Sequence, residues 1–309
     1  MLRETLIRLS QQEQLRNIAM HNGLAHSFAL RFVAGESLEQ AVPCIRELNA
    51  RGMTATLDHL GENVSSKAEA AEAADAYRGI LQEIQRAGIR CNASLKLTHM
   101  GLDLGEEVAF DNVRRVVDEA AQLDNFIRID MESSDYIDRT LQLFYRLFDE
   151  YKNVGVVIQS ALYRSESDVE QLIEAGARVR LVKGAYLEPP GVAFQRKTEV
   201  DVNFIRLMEM MLTRGDYPAI ATHDVNMIEA GKRFAQAHGI EASRFEFQML
   251  FGIRRDLQAQ LVRDGYNVRI YVPYGTAWYP YLMRRMAERP ANLMFVLGNI
   301  AREAVSRRP

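Results

Sequence analysis

The chain has 309 residues, of which 48% are hydrophobic and 26% are charged, and its formal net charge at pH 7 is -3. These values are typical of a folded globular protein and give no reason to expect a nucleic-acid partner. No apolar run approaches the roughly 20 residues that a membrane-spanning helix needs, and the charged residues 1–15 lack the apolar core of a secretory signal. We therefore expect a cytoplasmic protein, for which only peripheral contact at the inner membrane face remains open.

The first fifty residues are predicted to be helical, and a helix with apolar residues at helical spacing should end at Gly52. From residue 54 onward, short apolar runs alternate with longer amphipathic stretches. Several of these runs are rich in Val and Ile, as buried strands are. The runs are ATLDHL (55–60), NASLKL (92–97), FIRIDM (126–131), VGVVIQ (154–159), RVRLVK (178–183), PAIATH (218–223), FEFQML (245–250) and VRIYVP (268–273).

The stretches between the runs are predicted to be helices, such as the Ala- and Glu-rich residues 65–87 and the amphipathic residues 112–123. Ser165, three residues before Asp168, suggests a capping box at the start of another helix. Parallel strands need crossovers of this length, so eight such units predict an α/β fold, a (βα)8 TIM-type barrel. A large open α/β sheet is the alternative. We expect an N-terminal helical extension over 1–53 and a barrel domain with C-terminal helices over 54–309.

Nearly every predicted strand ends in a charged or hydrogen-bonding side chain. The active sites of such barrels lie at the C-terminal ends of the strands, so these side chains should meet at one rim. Three histidines and three aspartates among them are candidate metal ligands for a metal-dependent lyase or hydrolase: His59, His99, His223, Asp58, Asp130 and Asp224. No two are spaced to hold one metal from a single element, so hydrogen bonding and packing are favoured over metal binding. The sequence also lacks a GxGxxG turn after a strand and a P-loop.

The segment RVRLVKGAY (178–186) combines positive charge with small residues. Arg180 and Lys183 would attract an anionic ligand, while Gly184 and Ala185 would let a planar or phosphorylated ligand approach the backbone. Fixed cations of this kind suit a flavin, whose phosphates and reduced ring are anionic. The alternatives are a solvated pair of charges on an exposed strand and a barrel that binds a small anion without catalysis.

The segment WYPYLMRRMAERPAN (278–292) is predicted to be a helix that ends near Pro290. Arg284 and Arg285 lie four and three residues before Glu288, so an ion pair on a surface helix is one interpretation. The other is that the two guanidinium groups grip a carboxylate, which Arg does better than Lys. Spacing leaves both interpretations open.

Nine segments of the chain, in order, resemble the proline dehydrogenase family in its short monofunctional form. They are FVAGES (32–37), LDHLGENV (57–64), LKLTHMG (95–101), IDMESSDY (129–136), RLVKGAY (180–186), ATHD (221–224), EFQML-G (246–252), RIYVPYG (269–275) and YLMRRMAERPAN (281–292).

The resemblance implies a distorted (βα)8 barrel that holds FAD non-covalently at the strand ends. It implies oxidation of L-proline to Δ1-pyrroline-5-carboxylate by hydride transfer to flavin N5, with electrons passed to a membrane quinone. This is the first step of proline degradation to glutamate, and the product would pass to a separate pyrroline-5-carboxylate dehydrogenase. The basic residues 300–309 are either a solvated tail or a contact with anionic lipid.

The resemblance also assigns roles to individual residues. Those expected to matter for catalysis are Asp130 and Arg180. Those expected to bind proline are Lys96, Arg284, Arg285, Tyr271, Tyr281 and Leu250. Those expected to contact FAD are Met131, Gln159, Lys183, Gly184, Ala185, Thr222 and His223. Glu62 resembles a family position that pairs with the first substrate arginine and gates the site.

Overall fold

The computed structural model describes residues 29–61 and 63–288, without the side chains of residues 284–288. Within this part, eight parallel strands close into a barrel in sequence order. The strands are β1 (Thr54–His59), β2 (Cys91–Leu95), β3 (Ile127–Ile129), β4 (Val154–Gln159), β5 (Val179–Val182), β6 (Ala219–Ala221), β7 (Glu246–Leu250) and β8 (Asn267–Tyr274). All eight predicted strands are confirmed, with ends that differ by at most two residues. The open sheet is wrong, because β1 pairs with β8 along its whole length.

A helix precedes the first strand, and a helix follows each strand. The helices are α1 (Leu38–Ala50), α2 (Lys67–Ala87), α3 (Glu106–Gln122), α4 (Ile137–Glu150), α5 (Ser165–Glu174), α6 (Lys197–Arg214), α7 (Val225–Ala237), α8 (Arg255–Arg263) and α9 (Trp278–Glu288). The capping box predicted at Ser165 is wrong. The Ser165 hydroxyl donates backwards to the Leu162 carbonyl at 2.8 Å, and Asp168 instead accepts from Arg164 at 2.8 Å.

Helix α1 packs against the barrel beside β1 and β8. Its apolar residues Ala41, Val42, Ile45 and Leu48 are buried in the same hydrophobic core as the strands. The division into an extension of 1–53 and a barrel of 54–309 stays a prediction, since residues 1–28 and 289–309 lie outside the described part. No helix within the described residues is long and apolar enough to span a membrane.

The strands bury apolar side chains against the helices and point polar side chains into the barrel. On β2, for example, Ala93 and Leu95 belong to the hydrophobic core, and the alternating positions Asn92 and Ser94 are buried polar residues. Side chains of alternate residues point to opposite faces of a strand, so the polar set faces inward. Such barrels are usually filled by branched apolar residues, whereas many inward positions of this barrel carry hydrogen-bonding or charged groups.

Candidate active site

Asp130, directly after β3, is the acceptor at the centre of the site. Arg180 of β5 donates from Nη1 to Asp130 Oδ1 at 2.7 Å, and Tyr271 of β8 donates its hydroxyl to Asp130 Oδ2 at 2.7 Å. The second guanidinium nitrogen of Arg180, Nη2, donates to the hydroxyl of Ser94 at 3.0 Å. Four strands of the closed barrel therefore converge on one carboxylate and one guanidinium group.

Lys96, which directly follows β2, forms its shorter ion pair with Asp58 of β1. The Lys96 Nζ lies 3.2 Å from Asp58 Oδ1 and 3.9 Å from Asp130 Oδ2. The Asp58 side chain is only 2% exposed. Sequence reasoning placed Asp58 at a strand end on the rim and considered it as a metal ligand, but it did not identify Asp58 as the partner of Lys96. Lys96 is thus fixed at the side of the Asp130 cluster.

Tyr271 keeps its proton over the whole physiological range. Burial raises the pKa of Tyr271 well above its usual value, and the Asp130 carboxylate raises this pKa further. The Arg180 guanidinium carbon lies 5.4 Å from the centre of the Tyr271 ring, within range of a cation–π contact. Tyr271 therefore acts as a hydrogen-bond donor that holds both charged partners.

Lys183 lies just past β5 between two carboxylates on the next two helices. Its Nζ is 2.5 Å from Asp201 Oδ1 on α6 and 2.8 Å from Asp224 Oδ2 at the start of α7. Lys197 also pairs with Asp201. Burial raises the pKa of both carboxyl groups, but the lysine hydrogen bonds outweigh burial, and both pKa values lie below the usual range. Asp201 was not identified from the sequence, although its position four residues after Lys197 indicates an ion pair along one face of a helix.

The next residue, Gly184, adopts a backbone conformation that suits glycine, with a φ of +112°. A Cβ atom there would lie 3.1 Å from Gln159 Oε1 and 3.2 Å from the Ala161 Cβ. The backbone conformation and the close packing against the end of β4 therefore both favour glycine at position 184, beside the Lys183 cluster.

Four of the other residues expected to contact a cofactor lie at or just past strand ends on the same rim. Gln159 donates to the Glu132 carbonyl at 2.8 Å. His223 accepts at Nε2 from the Leu250 amide at 2.9 Å, and the Thr222 hydroxyl accepts from the Asp224 amide at 3.1 Å. The fourth, Met131, is buried after β3. Hydrogen bonds between adjacent strand ends thus hold this side of the rim.

The candidate metal ligands do not form a metal site in the part of the chain that the structure describes, where no three His, Cys, Asp or Glu side chains are grouped to hold an ion. His59 instead stacks on Tyr274 with ring centres 5.1 Å apart, and burial lowers its pKa. The aspartates Asp58, Asp130 and Asp224 are bonded to Lys96, Arg180 and Lys183.

Helix α9 begins four residues after β8 ends, which places its first turn beside the strand ends. Tyr281, on this helix, is buried. The side chains of Arg284 and Arg285, and all of Glu62, lie outside the described residues, so the carboxylate clamp and the gate stay predictions.

Arg180 supports the presence of an anionic ligand above this cluster. Its Nε is buried and has no hydrogen-bond partner among the described residues. A buried donor left without a partner is costly, so a ligand atom that accepts at this position would remove that cost. Together with the cation Lys183 on the same rim, this donor fits a cofactor that carries anionic groups.

The chain is similar to proteins named for proline dehydrogenase along nearly its whole length. The family model described as proline dehydrogenase matches residues 41–297. Proline dehydrogenase of Deinococcus radiodurans is 44% identical over 95% of this chain and 94% of its own, and proline dehydrogenase 1 of Bacillus subtilis is 42% identical over 98% and 100%. Among solved structures, proline utilization A of Bdellovibrio bacteriovorus, inactivated by N-propargylglycine, matches with a TM-score of 0.81 and 28% identity. That match covers 90% of this chain and 34% of the larger protein.

Proposed function

Since this chain belongs to the proline dehydrogenase family, the oxidoreductases that begin proline catabolism, we propose that it oxidises L-proline with FAD and passes the electrons to a quinone. The product would be Δ1-pyrroline-5-carboxylate. The main support for the proposal is the cluster of Arg180, Asp130 and Tyr271, with the Lys96–Asp58 ion pair beside it. This cluster lies at the C-terminal ends of the strands, where barrels of this kind have their active sites.

FAD would lie over the strand ends on the side of β4 to β6. Lys183, with its two carboxylates, and the backbone of Gly184 and Ala185 would hold it, and Arg180 would face its ring. Gln159, Thr222, His223 and Met131 would complete the contact. The buried Nε of Arg180, which has no hydrogen-bond partner among the described residues, supports this arrangement. When bound, the flavin supplies the oxidant, because its N5 accepts a hydride from the ring carbon next to the proline nitrogen.

Arg284 and Arg285 would bind the carboxylate of proline through their guanidinium groups. The planar guanidinium can donate two parallel hydrogen bonds to a carboxylate, which lysine cannot do. Lys96, Tyr271, Tyr281 and Leu250 would line the rest of the pocket, and Glu62 would close it by pairing with Arg284. Binding of the carboxylate fixes the substrate's orientation, and such positioning is the main catalytic contribution that the chain itself makes.

Asp130 orients its neighbours in this proposal and does not act as the base. Each of its oxygens accepts a short hydrogen bond, one from Arg180 and one from Tyr271, and the carboxylate therefore ties these two side chains together. The proline nitrogen must still lose a proton, which would pass to solvent as the substrate binds, before hydride can leave the adjacent carbon. Asp130 would serve that step by holding Arg180 and Tyr271 in place around the bound amino acid.

The electrons would pass to a quinone during peripheral contact with the inner membrane face. A separate pyrroline-5-carboxylate dehydrogenase would take the product, since the relatives that this chain matches over nearly their full length are named for proline dehydrogenase alone.

The visible spectrum of the purified chain tests the proposal. We expect the flavin absorption of bound FAD, bleaching on anaerobic addition of L-proline, and recovery when a soluble quinone is added. D-Proline is the matched control and should leave the spectrum unchanged. A colourless protein whose activity depends on a metal and is lost with a chelator would contradict the proposal in favour of a metal-dependent lyase or hydrolase. A protein that binds proline without bleaching would indicate a binding protein.

A further inference from the structure

Glu132, just after β3, has a buried side chain that binds the segment just after β2. Glu132 is 6% exposed, and its partner Thr98 is 1% exposed. Glu132 Oε1 accepts from the Thr98 amide at 3.1 Å, and Glu132 Oε2 accepts from the Thr98 hydroxyl at 2.7 Å. One carboxyl group thus holds one residue of the neighbouring segment through both its backbone and its side chain.

These two hydrogen bonds continue the contact between β2 and β3 beyond the end of the sheet. The paired part of β2 ends at Leu95, whose carbonyl accepts from the Asp130 amide at 2.8 Å. Lys96 lies between this last sheet contact and Thr98. In the same way, Asp130 lies between the paired part of β3 and Glu132. Contacts between the two segments therefore hold Lys96 and Asp130 on both sides.

A direct hydrogen bond does not fix the separation of Lys96 and Asp130. The Lys96 Nζ lies 3.9 Å from Asp130 Oδ2, which is too long for a hydrogen bond, and 3.2 Å from Asp58 Oδ1. The separation of the two groups therefore depends on how the segments after β2 and β3 are held together. The contact between Glu132 and Thr98 joins these segments.

The backbone of Glu132 connects the same segment to the side of the rim where we place the cofactor. The Glu132 carbonyl accepts from Nε2 of Gln159, at the end of β4, at 2.8 Å. Gln159 is 3% exposed and is one of the residues expected to contact FAD. Glu132 is therefore bonded on one side to the segment that follows Lys96 and on the other side to the proposed cofactor site.

We propose that Glu132 is a positioning residue, which fixes Lys96 and Asp130 in place relative to the bound flavin. The inference rests on the proposed function and adds a residue that acts without touching proline or FAD. Asp130 in turn binds Arg180 and Tyr271, so a shift of the segment after β3 would move the whole cluster. Reactions between bound groups are sensitive to such shifts, since a misplacement of about 1 Å can slow them by about 100-fold.

The competing explanation is that Glu132 only stabilises the fold by joining two loops. Three variants separate the two explanations. Glu132→Ala removes both acceptors. Glu132→Gln keeps the length of the side chain, with an oxygen that can accept from the Thr98 amide and an amide group that can donate to the Thr98 hydroxyl. Thr98→Val keeps the shape of the threonine and removes its hydroxyl donor.

The readouts are the limiting rate at which saturating L-proline reduces the flavin of the holoenzyme, the FAD content and the melting temperature. Anaerobic stopped-flow absorbance measures the rate. We expect Glu132→Ala to retain FAD and to be reduced about 10–100-fold more slowly than the wild type. Glu132→Gln should keep most of the wild-type rate. Thr98→Val should be slower than the wild type but faster than Glu132→Ala, because the Thr98 amide can still donate to Glu132.

Two variants on the outer helices serve as matched controls. Glu119→Ala removes a carboxylate that joins α3 to α2 through Arg78 at 2.9 Å. Thr140→Val removes the hydroxyl of a threonine on α4 that is as buried as Thr98, with 1% exposed. Both controls should melt at lower temperatures and keep the wild-type rate of flavin reduction. A purely structural role for Glu132 predicts this same behaviour for Glu132→Ala.

If the wild type is bleached by proline and Glu132→Ala is reduced at the wild-type rate, this inference alone is overturned. A rate in Glu132→Gln as low as that in Glu132→Ala would also overturn it, because the link to Thr98 is kept there and only the charge is lost. If Glu132→Ala fails to fold, Thr98→Val decides, since a wild-type rate of flavin reduction in that variant contradicts the proposal. Wild-type protein that retains no FAD would overturn the proposed function and this inference together.

Discussion

Tyr271 on β8 donates its hydroxyl to Asp130 after β3, on the far side of the barrel, with 2.7 Å between the two oxygens. The other Asp130 oxygen accepts from Arg180 at the same distance. Three residues far apart in the chain are thus joined through one carboxylate, and Ser94 and Lys96 lie beside them.

Asp130→Ala should reduce both stability and turnover. The change leaves Arg180 buried without its carboxylate, and losing one partner of a buried ion pair costs about 3–5 kcal/mol of unfolding free energy. Turnover should fall by at least about tenfold, equivalent to 1.4 kcal/mol in the barrier, while FAD stays bound. Chemical denaturation and steady-state kinetics measure the two effects.

Asp216→Ala is the control, because Asp216 pairs with Arg178 at the exposed surface and its loss should cost no more than about 1 kcal/mol of unfolding free energy. Turnover at the wild-type rate in Asp130→Ala would remove Asp130 from the catalytic residues.

Tyr271→Phe should weaken the same cluster by removing one donor. A hydrogen bond to a charged group contributes about 1.5–3 kcal/mol, so the variant should lose an amount in that range. A double-mutant cycle with Asp130→Asn measures the coupling between the two side chains. Additive effects on unfolding free energy would show that the hydroxyl does not stabilise the Asp130 cluster.

Gly184→Ala should destabilise the protein and weaken the retention of FAD. Holding a residue with a side chain at a φ of +112° costs about 1–3 kcal/mol, and the new methyl group would lie 3.1 Å from Gln159 Oε1. Gly191→Ala is the matched control in the same loop, because a Cβ there meets nothing within 4 Å. The melting temperature and the FAD content after dialysis are the measurements. Equal behaviour of the two variants would contradict the close approach of a ligand at Gly184.

Arg285→Met should leave FAD bound and raise the KM for proline by about 10–100-fold, since a charge-assisted hydrogen bond contributes about 1.5–3 kcal/mol. The prediction follows from the family resemblance and from the ability of paired guanidinium groups to hold a carboxylate. Arg263→Met, in the last turn of α8, serves as the control. Unchanged proline kinetics in Arg285→Met would refute the clamp.

The stability of the folded chain should fall in mildly acidic solution because of His59. Burial lowers the pKa of His59 below its ordinary value of 6.5. Between the folded pKa and about 6.5, the unfolded chain binds a proton at this residue that the folded chain does not. The His59 contribution is therefore present above pH 6.5 and is lost as the pH falls toward the folded pKa.

Unfolding free energies of the wild type and His59→Asn, measured from pH 7.5 down to pH 5, test this linkage. His59→Asn should lose part of the decline toward acid pH, because asparagine does not titrate. His238→Asn is the control, since His238 lies on the exposed surface beside Phe234. An identical pH dependence in the wild type and His59→Asn would contradict the linkage.

Local patterns in the sequence were sufficient to predict the eight strands and most of the polar side chains at the rim. Val- and Ile-rich runs predicted each strand to within two residues, because burial between helices demands apolar side chains on a short extended segment. Asp130 and Lys96 were found by their positions at strand ends, and Arg180 was found as a cation inside a buried strand that ends in Lys183. The capping box at Ser165 failed, because the hydroxyl found carbonyl acceptors within its own turn and Asp168 found a neighbouring arginine.

The partners of these residues could not be predicted from the sequence. Asp130 and Tyr271 are 141 residues apart, and Arg180 and Ser94 are 86 apart. The carboxylates around Lys183 come from two different helices. Such contacts depend on the register of every strand pair and on the closure of β8 against β1, which no local periodicity encodes.

The sequence by itself thus determined the barrel, the rim on which the chemistry lies and the family to which the chain is related, since these depend on the order and the composition of short segments. Only the tertiary structure decided which charges meet: Asp58 binds Lys96, Asp130 accepts from both Arg180 and Tyr271, and carboxylates from two helices bind Lys183. The reason is physical. Apolar composition and periodicity are properties of short segments of the chain, whereas the pairing of charges inside a closed barrel depends on distances between strands on opposite sides of it.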